Sequence, residues 1–254
     1  MCKKLLTLKR LLFMLEKIIK EEKKLPLVCT IFGEPGLGKT SLAATFPNPI
    51  FILAEDGLKS VKPRPHSFPL LQNASELWVQ LKALREEKHD YKTLVVDTIT
   101  QLEQLFISYI LSQDKTASNL ATAHGGYGAA YQMLSGMHGK VRKYADVLMI
   151  EKNMNIVFLA HSEIENLNLP DHSEFNRYEI KLHKKSQGHY IGNVDLVGFL
   201  KLDISTKKDG KAIDSGERVL ICHSTASNIS KNRFGIEEPI LVEKNKNVLE
   251  EYCL

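Results

Sequence analysis

One stretch constrains this chain more than any other: Gly33-Glu34-Pro35-Gly36-Leu37-Gly38-Lys39-Thr40, followed by Ser41, fits G-x-x-x-x-G-K-[ST]. The pattern carries its own mechanism. Glycines let successive backbone N–H groups converge on phosphate oxygens, Lys39 reaches the β- and γ-phosphates, and the Thr40 hydroxyl ligates Mg²⁺. That chemistry needs the loop to leave a buried strand and open a helix, whose dipole favours negative charge. Both neighbours fit: Leu27–Phe32 reads as a buried strand, and Lys39–Phe46 as a helix stopped by Pro47. Gly33 through Ser41 are therefore candidate nucleotide-binding residues, with ATP and Mg²⁺ as the implied cofactors.

The rest of the chain keeps the same rhythm. Apolar runs at Ile50–Ala54, Thr93–Val96 and Ile156–Ala160 alternate with helical patterns over 74–88, 99–112 and about 127–152. Runs of this kind, without polar alternation, predict an α/β fold with a mostly parallel central sheet flanked by helices. Val194–Ile204 and Arg218–Cys222 read as later strands forming a C-terminal β-hairpin extension, with Asp209-Gly210 and Ser215-Gly216 as turns between them.

Charge is unevenly spread. Lys and Arg number 34 against 30 Asp and Glu, a formal +4. Residues 1–24 hold eight of the basic residues and three Glu, a local +5, which leaves 26 basic against 27 acidic residues over 25–254. Two units are expected: a basic leader over 1–24 and a nearly neutral domain over 25–254. In the leader Leu5, Leu8, Leu12, Leu15 and Ile19 form one apolar stripe, suited to docking on its own domain or a neighbouring subunit, or to contacting a membrane surface or DNA. No apolar run is long enough to span a membrane, and the four cysteines, Cys2, Cys29, Cys222 and Cys253, form no C-x-x-C pair. Reduced thiols and a cytoplasmic location are expected.

A second chemical signal is Thr93-Leu94-Val95-Val96-Asp97, an apolar strand ending in a carboxylate, as Mg²⁺ positioning requires. The alternative is that Asp97 caps the helix beginning near Ile99. Thr98, not Glu, follows it, so another acid must polarise the attacking water. Glu55, closing the strand Ile50–Ala54, would lie beside the γ-phosphate if that strand neighbours the first.

Here the chain resembles the RecA-type ATPases. The resemblance implies Glu55 as catalytic base, Asp97-Thr98 as the metal-positioning pair, and His161, where RecA itself has Gln, as the γ-phosphate sensor. Lys231-Asn232-Arg233-Phe234-Gly235 is similar to a motif of the RadA relatives of RecA, and implies that Lys231 and Arg233 reach a neighbouring subunit's nucleotide in a ring or filament. In overall order of motifs the chain is similar to a phage and prophage group of small RecA-like ATP-binding proteins associated with single-strand annealing and recombination. That similarity implies single-stranded DNA and recombination proteins as partners.

By the same resemblance DNA would meet two loops, 116–128 and 162–188. The second ends in a basic run in which Arg177, Lys181, Lys184 and Lys185 are suited to tracking phosphates, against the alternative of a solvated charged face. Tyr127 in the first reads as a residue packing at a helix start rather than a platform for a base. Two other activities stay open: a small-molecule or nucleoside kinase on the same loop, although no Arg-rich lid segment occurs, and a nucleotide-gated assembly protein with little turnover. A GTPase is disfavoured because no Asn-Lys-x-Asp motif occurs.

Overall fold

A computed structural model describes residues 24–168, 173–206 and 212–254. The leader up to residue 23 and the expected Asp209-Gly210 turn lie outside these.

Among the described residues ten strands form the sheet: β1 (Val28–Gly33), β2 (Pro49–Leu53), β3 (His66–Ser67), β4 (Thr93–Asp97), β5 (Asn155–Leu167), β6 (Phe175–Ile180), β7 (Leu196–Thr206), β8 (Ala212–Ile221), β9 (Lys231–Asn232) and β10 (Ile240–Leu241). The strand order is β10-β8-β7-β1-β5-β4-β2-β3, with β6 on β5 and β9 on β7. From β7 to β3 every pairing is parallel. The mostly parallel sheet flanked by helices is the architecture that the apolar runs predict. The antiparallel pair β7 and β8, joined by β10, is the C-terminal hairpin extension.

Among the described residues five α-helices accompany the sheet: α1 (Lys39–Ala43), α2 (Ala74–Glu86), α3 (Ile99–Ser112), α4 (Ala129–Lys152) and α5 (Lys184–Ile191). Strand alternation sorts the core. Val28 and Phe32 of β1, Leu94 and Val96 of β4, and Ile156 and Phe158 of β5 pack with Leu77, Leu81, Phe106, Leu134 and Val141 of α2–α4. Cys29, Ile31, Val95, Val157 and Leu159 point the other way, against Leu42 and Phe46 and the C-terminal Leu249 and Cys253. Both faces of the central strands are therefore buried, which is why those strands read as continuous apolar runs.

Each long helix buries a stripe at helical spacing, such as Ile99, Leu102, Phe106 and Ile110 of α3. Local chemistry sets where the helices begin. Asn73 accepts from Ser75 N and Glu76 N at the start of α2, and Thr98 accepts from Gln101 N at the start of α3. Inside the helical layer lies a buried polar chain: Glu103 Oε2 is 3.2 Å from His138 Nε2, and His138 Nδ1 is 2.8 Å from the Tyr190 hydroxyl. Burial holds the His138 imidazole below its ordinary value, outweighing the pull of Glu103 in the other direction.

Several sequence expectations shift. The first helix ends at Ala43 and continues only as turns to Phe46. Ser215-Gly216 is no turn between strands. It lies inside β8, where the register slips between Leu202 and Ile204 and Gly216 takes φ +73°. The strand read as Ile156–Ala160 runs on to Leu167, and its second half pairs with β6 from Ser162↔Ile180 to Leu167↔Phe175. Much of the expected 162–188 loop is therefore an antiparallel ribbon, which a polar sequence such as Ser162-Glu163-Ile164-Glu165 does not announce.

Candidate active site

Parallel pairing brings the carboxyl ends of four strands to one edge. Gly33 of β1 is level with His161 of β5, and Asp97 of β4 is level with both Leu159 of β5 and Leu53 of β2. The strand before Glu55 does not neighbour β1, contrary to the condition set above: β5 and β4 lie between them. Glu55 nevertheless stays at the edge, because Ala54 N and Glu55 N both donate to Asp97 O, at 2.7 and 3.2 Å.

The loop Gly33–Gly38 leaves β1 and turns through Gly36 and Gly38, both at φ +84°, a region that side-chain-bearing residues avoid. Gly33 is fixed by proximity, since a β-carbon there would lie 2.3 Å from Leu200 O. Glu34, Pro35 and Gly36 are exposed at the loop's tip, and Leu37 is half-buried. Lys39 is buried and folds back over the loop, its Nζ donating to Gly33 O and Glu34 O at 2.8 Å each. Burial pulls its ammonium down to about 8 despite the opposing pull of Glu55 and Asp97.

The Thr40 hydroxyl donates to Asp97 Oδ2 at 2.8 Å, while Asp97 Oδ1 is buried with no hydrogen-bond partner among the described residues. Burial, with Glu55 adding like charge and Thr40 opposing, pushes the Asp97 carboxyl up to about 6. The helix-cap alternative for Asp97 is closed, because Thr98 performs that task. A buried carboxylate with an unmatched oxygen beside a hydroxyl is a hard oxygen donor set that suits Mg²⁺. Gly57 keeps space there, since a β-carbon on it would lie 3.0 Å from Asp97 Oδ2 and 3.1 Å from Thr40 Oγ1. The glycine of Glu55-Asp56-Gly57 is the signal that motif reading missed.

His161 joins the remaining pieces. Its Nε2 is 3.1 Å from Glu55 Oε2 and its Nδ1 is 3.5 Å from Lys39 Nζ. Its backbone N–H donates to Thr100 Oγ1 of α3 at 3.0 Å. Lys39, Thr40, Glu55, Asp97 and His161 thus form one contiguous cluster, assembled from α1, the segment after β2, β4 and β5. Ser41 follows on the exposed side of α1 and lines a neighbouring groove.

The other candidate residues lie elsewhere. Asn232 and Lys231 pair with Leu196 and Val197, at the starting end of β7, and Arg233 N donates to Asp195 O. This is the amino end of the sheet, about 17 Å from the phosphate loop along the length of β1. Lys231 Nζ donates to Gly192 O, and burial with the nearby Arg233 charge lowers its ammonium. Arg233 Nη1 pairs with Asp195 Oδ1 at 3.1 Å. Neither cation reaches its own chain's phosphate loop.

Of the four cations in the second basic run, two are already matched. Arg177 pairs with Glu179, and Lys184 Nζ lies 3.2 Å from Glu165 Oε2. Lys181 and Lys185 are exposed. Lys185 borders the first loop, its Nζ 3.5 Å from a β-carbon built on Gly128, so the two segments share one surface. Tyr127 corrects the expectation of helix-start packing: it is fully exposed at φ +50°, between Gly126 and Gly128, which also have positive φ.

No helix among the described residues is long and apolar enough to cross a membrane. A family model described as an AAA domain matches residues 25–234. No curated protein matches the chain.

Proposed function

This chain belongs to the AAA-domain family of P-loop NTPases, and we propose that it is a RecA-type ATPase that couples ATP hydrolysis to single-stranded DNA in phage-type annealing or recombination. One observation carries the reading: Lys39, the Thr40–Asp97 pair and the Glu55–His161 pair converge at a single strand edge, beside a loop shaped for phosphate. The residue after Asp97 is Thr98, so the metal carboxylate and the base cannot be sequence neighbours. Glu55, adjacent to Asp97 across β2 and β4, fills the second role.

The residues divide the work as follows. Backbone N–H groups of Gly33–Thr40 hold the polyphosphate, and Lys39 exchanges its bonds to Gly33 O and Glu34 O for phosphate oxygens. Thr40 and Asp97 would hold Mg²⁺, which neutralises charge on the β- and γ-phosphates when bound. Glu55 accepts a proton from the attacking water. His161, bonded to Glu55 and near Lys39, senses whether a γ-phosphate is present and orients the base. Lys231 and Arg233 complete a neighbour's site in a ring or filament, a role compatible with their distance from the phosphate loop of their own chain.

The DNA reading rests on Tyr127, exposed next to Gly128 in sequence, and on the exposed Lys185, whose Nζ lies 3.5 Å from a β-carbon built on Gly128. Exposed aromatic rings stack on bases and ammonium groups track phosphates. The test is ATP turnover at fixed salt with and without single-stranded DNA. Wild type should be stimulated severalfold and a Tyr127→Ala/Lys185→Ala variant should keep only basal turnover. Equal stimulation of both proteins contradicts the DNA assignment.

A further inference from the structure

Arg218 belongs to no nucleotide-binding motif, yet the fold delivers it to the phosphate loop. It sits on β8 opposite Leu202, and its backbone carbonyl accepts from Val242 N at 2.8 Å. Its Nη1 donates to Leu37 O at 3.2 Å. A β-carbon built on Gly38 would lie only 2.3 Å from that same nitrogen, so the guanidinium rests on the residue immediately before Lys39. Gly38 is required by its φ of +84°, and the absence of a side chain there lets the guanidinium approach the loop.

The same side chain lines a groove of about 610 Å³, with Ser41 and Thr45 on one wall and Lys62 and Asn245 among the others. Its volume falls within the roughly 300–1,000 Å³ usual for small-molecule sites. Glu55, Asp97 and His161 do not line it. Arg218 therefore stands at the junction between the loop that holds polyphosphate and a groove separate from the hydrolytic groups.

We propose that Arg218 is a specificity residue in cis that grips the nucleoside end of the bound nucleotide, with the groove beside it receiving ribose and base. The inference rests on the nucleotide reading above and adds the residue that distinguishes a nucleotide from bare polyphosphate. The chemistry fits a guanidinium better than an ammonium. Its planar fork matches the oxygens of a ribose, and its face stacks on a heterocycle. The bond to Leu37 O holds that fork in place at the loop.

The test is calorimetric titration of the full chain with ADP and, separately, with inorganic tripolyphosphate, both with Mg²⁺, for wild type, Arg218→Ala and Arg218→Lys. Arg218→Ala should weaken ADP about tenfold and tripolyphosphate less than about twofold, the loss expected of one charge-assisted contact. Arg218→Lys should fall between wild type and Arg218→Ala for ADP, and it carries the test if the alanine variant does not fold. Unchanged ADP affinity overturns the proposal, as does an equal loss for tripolyphosphate, which would make Arg218 a general phosphate cation. Wild type that binds neither probe overturns the nucleotide reading itself.

Discussion

At the carboxyl end of the strands Lys39, Glu55, Asp97 and His161 contact one another across β1, β5, β4 and β2, whereas at the amino end Lys231 and Arg233 spend their bonds on Gly192 and Asp195. The first group is buried or half-buried and leaves an oxygen of Asp97 unmatched among the described residues. In the second, the Arg233 side chain is 60% exposed and already paired. Burial without full compensation is costly, and a protein keeps such a site where a ligand supplies the missing partner. An exposed pair of the second kind contributes about 0–1 kcal/mol, so a neighbouring chain's nucleotide could recruit its arginine at little expense. The two ends thus differ as a buried cluster differs from an exposed, already matched pair, and only under the proposed function does the second serve another copy of the chain.

That contrast can be broken most strongly at Arg233. Arg233→Ala should lower ATP turnover about a thousandfold if it acts as a finger in trans, while nucleotide affinity holds. Mixing it with Lys39→Ala should restore part of the turnover, because each protein supplies what the other lacks. Full activity of Arg233→Ala alone would leave the amino end without a catalytic role.

A smaller effect is expected at Gly57. Gly57→Val crowds both Asp97 Oδ2 and Thr40 Oγ1. The Mg²⁺ concentration needed for half-maximal turnover should rise about tenfold, as for disturbances next to metal ligands. An unchanged Mg²⁺ requirement would argue against Thr40–Asp97 as the metal site.

The smallest effect concerns the buried polar chain of the helical layer, whose residues belong to neither group. His138 is held below its ordinary value by burial, with His189 adding to the effect and Glu103 opposing it, and the Tyr190 hydroxyl as its other neighbour. A histidine lowered in the folded state favours its neutral form there. Its contribution is fully present above an unfolded value near 6.5 and is lost as pH falls below it. The free energy of unfolding, measured by denaturant titration, should therefore drop below about pH 6.5, with a slope of at most about 1.4 kcal/mol per pH unit from this group. His138→Gln should flatten that slope, and an unaltered slope would assign it to other groups.

Legibility in the sequence followed how local each feature is. Glu55 and Asp97 are legible because each closes an apolar run that must be a buried strand, whereas His161 comes from the resemblance to the RecA-type ATPases. The order of the strands was not found, because β1 meets β5 and not β2 through a crossover that no local pattern encodes. Arg218 was invisible for the same reason: it is 181 residues from Leu37 in sequence and meets it only through the β7–β8 register. Tyr127 was misread because glycines on both sides suggest a helix start, while its own positive φ turns the ring outward. The β5–β6 ribbon was missed because charged residues pair well on a solvated ribbon, where apolar periodicity is weak.

The central claim is that the carboxyl edge both binds and hydrolyses ATP, with Glu55 reserved for the chemical step. Measuring ATP affinity and single-turnover hydrolysis on the same preparations of wild type, Glu55→Gln and Lys39→Ala tests it most directly. The account predicts that Glu55→Gln binds ATP within about twofold of wild type but hydrolyses it at least about a hundredfold more slowly, while Lys39→Ala loses binding as well. Wild-type turnover by Glu55→Gln, or equal loss of affinity in both variants, would contradict it.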